Sequence, residues 1–109
     1  GMVEGASVVL LTSAGRHFGA GHDLTEMSTG GCDHGKLFRD CSRMMQMVTE
    51  CEVPVVAAVQ GCAHAAGCQL AASCDVVLAA DNARFATPGV KIGLFCSTPS
   101  VAVTRAVTP

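Results

Sequence analysis

Three uncharged apolar runs set the terms on which this chain folds: Ser7–Thr12 (SVVLLT), Val55–Gln60 (VVAAVQ) and Val76–Ala80 (VVLAA). Each is short, rich in β-branched residues and closed by a break. Ser13-Ala14-Gly15 ends the first, Gly61 the second and the Asp81-Asn82 turn the third. Runs of this length and composition read as strands buried on both faces. The segments between them read as helices. From Lys36 to about Glu50, Leu37, Cys41, Met44 and Val48 form one apolar stripe, with Arg39, Asp40, Arg43 and Gln46 off it. Its methionines are core filler in this reading. Ala65–Ser73 is a small-residue helix with one polar position, Gln69. Uncharged strands alternating with helices predict an α/β domain, a mostly parallel sheet flanked by helices on both faces. Between these elements, Thr29–Gly35 is a polar, turn-forming and mobile segment. Phe85–Gly89 is a short strand or loop, and Ile92–Pro99 is a loop leading to a helix at Ser100–Ala106.

A chain of 109 residues holds one domain at most. Trp and Tyr are absent and Phe occurs four times, so the core is built from Val, Leu, Ala, Met and Cys. A net charge of −2 carries no basic signature, and nucleic acid is not an expected partner. The longest apolar runs, Val8–Leu11 and Val53–Val59, fall far short of the ~20 residues a membrane-spanning helix needs. No basic stretch followed by an apolar one opens the chain, so a cleaved leader is not expected, and Gly1-Met2 reads as a cloning remnant. Seven cysteines are an odd number, and several lie inside apolar stretches, so they read as reduced thiols of an intracellular protein. Cys62, Cys68 and Cys74 recur every six residues around His64, which is not zinc-ligand spacing, so no metal is expected.

Two glycine-rich junctions stand out: Gly19-Ala20-Gly21-His22-Asp23-Leu24, and the stretch from Gly61 to Gln69. Neither matches a dinucleotide fingerprint or a phosphate loop. Both leave backbone N–H groups free of bulky side chains, and Ala66 falls at a helix N-terminus, where unpaired N–H groups and the helix dipole favour negative charge. Two readings stay open. The glycines serve tight turns and close helix–sheet packing, or two N–H groups converge as an oxyanion hole that stabilises an enolate or tetrahedral oxyanion.

The segments GRHFGAGHDLTEM and PVVAAVQGCAHAAGCQLAASCDVVLAADNARFATPGVKIGLFCSTP resemble the crotonase (enoyl-CoA hydratase/isomerase) superfamily. Its two motifs read roughly GxxFxAGxDL and PVIAAVxGxAxGGGxELAxxCDxxxAxxxAxFxxPExxxGxxP, in this order and spacing. Within that superfamily the HDL and GLFCSTP runs look most like its mitochondrial-type hydratase-domain members and their bacterial relatives. The resemblance implies a ββα spiral that binds acyl-CoA thioesters, assembled as a trimer or hexamer, in the mitochondrial matrix or a bacterial cytoplasm. It implies no cofactor beyond the coenzyme A of the substrate. Carried over by position, the backbone N–H groups of His22 and Ala66 would form the oxyanion hole. Ala20, Asp23 and Leu24 would flank the coenzyme A, and Cys62, Ala65, Pro88 and Gly89 would line the substrate site.

The departures bear on chemistry. Members that hydrate enoyl thioesters use two glutamates, because adding water across a double bond needs a base and an acid. Here those positions hold Gln69 and Gly89. The isomerase base falls at the same second position. Other branches carry an acid where this chain has Ser97, and Cys96, Ser97 and Thr98 either hold water or a nucleophile or are merely solvated. The His22 imidazole is the one group titrating near neutrality inside the implied hole. Otherwise it faces solvent or a coenzyme A phosphate. Asp23 and Asp75 read as acceptors for neighbouring backbone N–H groups, and Arg84 and Lys91 as surface charges. By resemblance, residues 1–109 are the central portion of one crotonase-like domain whose N- and C-terminal parts are absent. The sequence therefore supports either an acyl-CoA enzyme of altered chemistry or a non-enzymatic thioester-binding or interaction subunit, if not an inactive fragment.

Overall fold

The computed structural model describes residues 4–108; the Gly1-Met2 start lies outside them. The chain makes three passes of the same kind. The first begins with β1 (Val9–Leu11), crosses to Gly19, then forms α1 (Leu24–Ser28) and α2 (His34–Thr49). The second runs through β2 (Val55–Val59), β3 (Cys62–His64) and α3 (Ala66–Ser73). The third follows with β4 (Val76–Ala79), β5 (Arg84–Ala86), a 3-10 turn (Pro88–Ile92) and α4 (Ser97–Ala106). Strands from successive passes stack in parallel. One sheet has the order β1-β2-β4, with Val9 opposite Val55 and Val56 opposite Val76. The other pairs Cys62 with Arg84 and His64 with Ala86, and a single parallel bridge from Gly19 to Ala63 extends it into the first pass. This is a ββα spiral, as the resemblance implies.

The central strand accounts for the core. Val55, Ala57 and Val59 on one face of β2 are buried, and Ala57 and Val59 cluster with Phe18, Ala63 and Ala71. Three of these five are alanines, so the layers sit close and glycines fill the tightest points. A Cβ on Gly67, at the start of α3, would run into the carbonyl oxygen of Gly19 and come within 2.7 Å of its carbonyl carbon. At Gly61 (φ +61°) a Cβ would run into the Arg16 carbonyl oxygen. Side chains then fasten the passes together. Asp75 Oδ2 accepts the Val55 N–H at 2.8 Å while the Asp75 N–H donates to the Val55 carbonyl, also at 2.8 Å. The amide nitrogen of Gln60 donates to the carbonyls of Ser13 (2.8 Å) and Gly15 (3.1 Å).

Several expectations are corrected. β1 and β4 are not covered on both faces. They are the outer strands of a three-stranded sheet, Leu10 is 60% exposed, and all four residues of β4 are exposed. β1 is also shorter than Ser7–Thr12. β3 and α1 were not expected, because three or five residues carry too little periodicity to be read. α2 starts at His34 rather than Lys36, since Asp33 caps it by accepting the Lys36 N–H at 3.0 Å. The apolar stripe of α2 runs through Met45, which is buried, and not Met44, which is exposed. Ser97–Pro99 belongs to the first turn of α4 rather than a loop. Proline is tolerated there because the first-turn N–H groups lack helical acceptors in any case.

Gly67→Ala separates two opposing effects. Helix propensity alone favours alanine by about 1 kcal/mol, but the added methyl meets backbone, which cannot rotate aside. We expect a net loss of roughly 1–3 kcal/mol in urea unfolding. Gly30→Ala, where a Cβ meets nothing within 4 Å, should stay within about 0.5 kcal/mol of the parent.

Candidate functional site

The junction of β3 and α3 is held by backbone bonds on both sides. The His64 N–H donates to the Gly19 carbonyl at 2.8 Å and the Ala65 N–H to the Ala86 carbonyl at 2.9 Å. Between strand and helix the chain turns abruptly at Ala65, which has φ 53° and ψ −118°. A non-glycine residue in such a conformation costs on the order of 1–3 kcal/mol and persists only where its surroundings enforce it. The result is a helix that opens at Ala66 with no side-chain cap. Its first N–H groups therefore keep their partial positive charge unneutralised.

The Gly21-His22 loop lies directly against that opening. A Cβ on Gly21 would sit 3.0 Å from the Ala65 Cβ and 3.6 Å from the Ala66 nitrogen. Among the described residues, neither the His22 nor the Ala66 N–H has a hydrogen-bond acceptor. Asp23 holds the loop by capping α1, its Oδ1 accepting the N–H groups of Thr25 (2.9 Å) and Glu26 (3.3 Å). One of its two carboxylate oxygens is thus engaged by backbone donors. The His22 ring turns toward α2 and meets Phe38 edge-on, with centroids 5.2 Å apart. That differs from the solvent- or phosphate-facing imidazole expected above. Ala20 on this loop and Leu24, the first residue of α1, are exposed.

The other expected site residues divide. Gln69 lies on α3 one turn beyond Ala66 and is half-buried; its N–H donates to the Ala65 carbonyl at 3.0 Å. Pro88 and Gly89 open the 3-10 turn. A Cβ on Gly89 would lie 2.8 Å from Cys96 Sγ and 3.0 Å from the Leu94 carbonyl oxygen, so the Cys96 thiol fills the space of a side chain at position 89. Ser97 is exposed at the start of α4. Cys62 stands at the opposite end of β3 from Ala65 and Ala66. There its N–H donates to His17 Nδ1 at 3.0 Å, and it lines a cavity with Arg16 and Arg84. All seven cysteines are free thiols, and burial pushes the Cys68 and Cys74 thiols up from the ordinary cysteine range. At Cys68 a hydrogen bond with the Ala86 backbone opposes that rise, and the neighbouring Cys96 adds to it. Among the described residues no three His, Cys, Asp or Glu side chains gather as metal ligands. Sequence reasoning missed His17 and Gln60, whose only signal was a polar side chain beside a glycine turn. It read Asn82 as a turn residue without its bond, in which Oδ1 accepts the Gly61 N–H at 3.2 Å.

Comparison with known proteins agrees with this architecture. The family profile described as enoyl-CoA hydratase/isomerase matches residues 4–108. The rat protein named enoyl-CoA hydratase domain-containing protein 3, mitochondrial, is 49% identical over 106 residues, which cover 95% of this chain and 35% of the rat protein. The crystal structure of the human protein of that name superposes with a TM-score of 0.85 at 50% identity, covering 93% of this chain and 41% of the human one. An enoyl-CoA hydratase structure from Mycobacterium smegmatis gives 0.87 at 46% identity, covering 94% and 40%. The chain thus spans about a third of the length of the curated relatives it matches. With three parallel-stacked passes, both glycine-rich junctions and a match across almost every residue, the chain belongs to the enoyl-CoA hydratase/isomerase family and carries part of its crotonase fold.

Proposed function

We propose that this protein binds acyl-CoA thioesters by receiving the thioester carbonyl oxygen between the N–H groups of His22 and Ala66. One observation carries the reading: an uncapped helix N-terminus, reached through a strained alanine, lies beside a glycine loop, and neither N–H group has an acceptor among the described residues. Such donors stabilise an oxygen that gains negative charge, as in a thioester enolate. The exposed Ala20 on that loop and Leu24 at the start of α1 would border the coenzyme A, with Ala65, Gln69 and the Pro88-Gly89 turn nearer the acyl group. Asp23 would act indirectly, by fixing the loop. The protein assembles as a trimer or hexamer in this proposal. It acts in the mitochondrial matrix, in line with the names of its relatives.

Standard enoyl-CoA hydration is not part of the proposal. Position 69 carries an amide that does not exchange protons in the working pH range, and position 89 has no side chain. Activation without proton transfer favours either altered chemistry or a binding role. The missing carboxylates are the specific observation behind the second of these.

The carbonyl contact can be isolated with ligands alone. Calorimetry should show an acyl-CoA thioester binding at least fivefold more tightly than the S-alkyl-CoA thioether, which has no carbonyl oxygen, since one or two hydrogen bonds are worth ~1–3 kcal/mol. Equal affinities would remove the proposed role of the two N–H groups. Hydration of crotonyl-CoA, followed by loss of the enoyl thioester absorbance, should stay at background. Gln69→Glu with Gly89→Glu should gain turnover only when Cys96→Ala clears the space beside residue 89. A gain without that third change would contradict the placement of the thiol.

A further inference from the structure

At the end of β3 away from Ala66, where all three passes turn from one sheet to the other, a cavity of about 400 Å³ opens. Arg16 and His17 from the first pass, Gly61 and Cys62 from the second, and Asn82 and Arg84 from the third contribute to its wall. The backbone has already taken the acceptor atoms of two of these side chains. His17 Nδ1 accepts the Cys62 N–H at 3.0 Å, which leaves the ring proton on Nε2 as a donor. Asn82 Oδ1 accepts the Gly61 N–H at 3.2 Å, which leaves the amide NH₂ as a donor. No carboxylate lines the cavity, and among the described residues neither guanidinium forms a salt bridge. The chain as a whole is mildly acidic, so this concentration of positive charge and donors is local.

We propose that this cavity is a binding site for a phosphate-class oxyanion. Two arginines brought together from different passes match the charge and the paired oxygens of a phosphate, and forked guanidinium contacts are the strong form of this interaction. The neutral donors on His17 and Asn82 are fixed by bonds that also hold the sheet-to-sheet turns, so the site is preorganised by the fold. It shares no residue with the His22 and Ala66 junction and stands whether or not a thioester binds there. The anion comes either from free phosphate or pyrophosphate, or from a phosphate group of a bound coenzyme A.

Titration of the intact protein with pyrophosphate at low ionic strength, followed by NMR at the Gly61 and Cys62 amides and the His17 ring, tests this. Saturable shifts are expected, and Arg16→Gln with Arg84→Gln should weaken binding about tenfold or more. Arg39→Gln, an exposed charge on α2, should leave it unchanged. Both arginines of the double variant are exposed, so folding should be retained, and preserved amide dispersion checks it. A second titration with coenzyme A separates the sources. Shifts at the same nuclei, reversed by pyrophosphate, assign the phosphate to the coenzyme; shifts with pyrophosphate alone assign a free anion. Absence of saturable shifts, or equal binding by the double variant and the parent, would overturn the proposal.

Discussion

The approach of two glycine backbones, Gly19 and Gly67, is the contact on which the rest of this structure depends. With no Cβ on Gly67, the start of α3 can rest on the Gly19 carbonyl. That same Gly19 carbonyl accepts the His64 N–H and so ties the first pass to β3. Widening this spacing by one methyl group would part the Gly21-His22 loop from the Ala66 nitrogen. The alanine-rich core follows from the same requirement, since larger residues at Ala57, Ala63 or Ala71 would force the layers apart. Packing and the proposed oxyanion geometry are therefore one constraint, and the two readings of the glycines left open by the sequence are compatible.

The legible parts of the sequence were those with long patterns. β2 announces itself through Pro54, six uncharged residues and Gly61. α2 does so through its apolar stripe, although the register was misplaced by one residue at Met45. Short elements were illegible for a physical reason. β3 has three residues and exists because it pairs with β5, which the sequence reads only as a strand or loop over Phe85–Gly89; that pairing is a contact no local pattern encodes. Burial was misjudged for a related reason. An apolar run such as Val76–Ala80 states what a strand prefers, while its exposure depends on what lies across it. Of the residues implied by the motifs, Ala66 and Gln69 lie on the helix that the sequence predicts and His22 on its loop, whereas Ala65 stands just outside the helix as formed and Gly89 in a 3-10 turn. Cys62 stands at the far end of β3 from these, because the two ends of a single strand in a parallel pass face different surroundings.

Ala65 shows how a substitution within a motif changes the energetics without changing the path. The superfamily pattern has glycine at this point, where positive φ carries no steric cost. Here an alanine occupies the same conformation. The bonds from Ala65 N–H to Ala86 and from Gln69 N–H to the Ala65 carbonyl hold it from both sides. An added side chain in a strained backbone reduces the freedom of the turn. It therefore favours a fixed direction for the Ala66 N–H.

A preorganised pair of donors lowers the energy of an oxyanion whatever happens next, but completing a reaction needs somewhere for the proton to go. In this chain the carboxylate on the loop, Asp23, has one oxygen engaged by two backbone N–H groups. The position at which the resemblance implies a first acid carries an amide. The second is a glycine whose side-chain space is filled by the Cys96 sulfur. Beside residue 89 the volume is occupied by a half-buried thiol reaching in from the neighbouring helix cap. Any carboxylate placed at position 89 would have to displace that sulfur, so the absence of the acid and the position of Cys96 are coupled features of one packing arrangement.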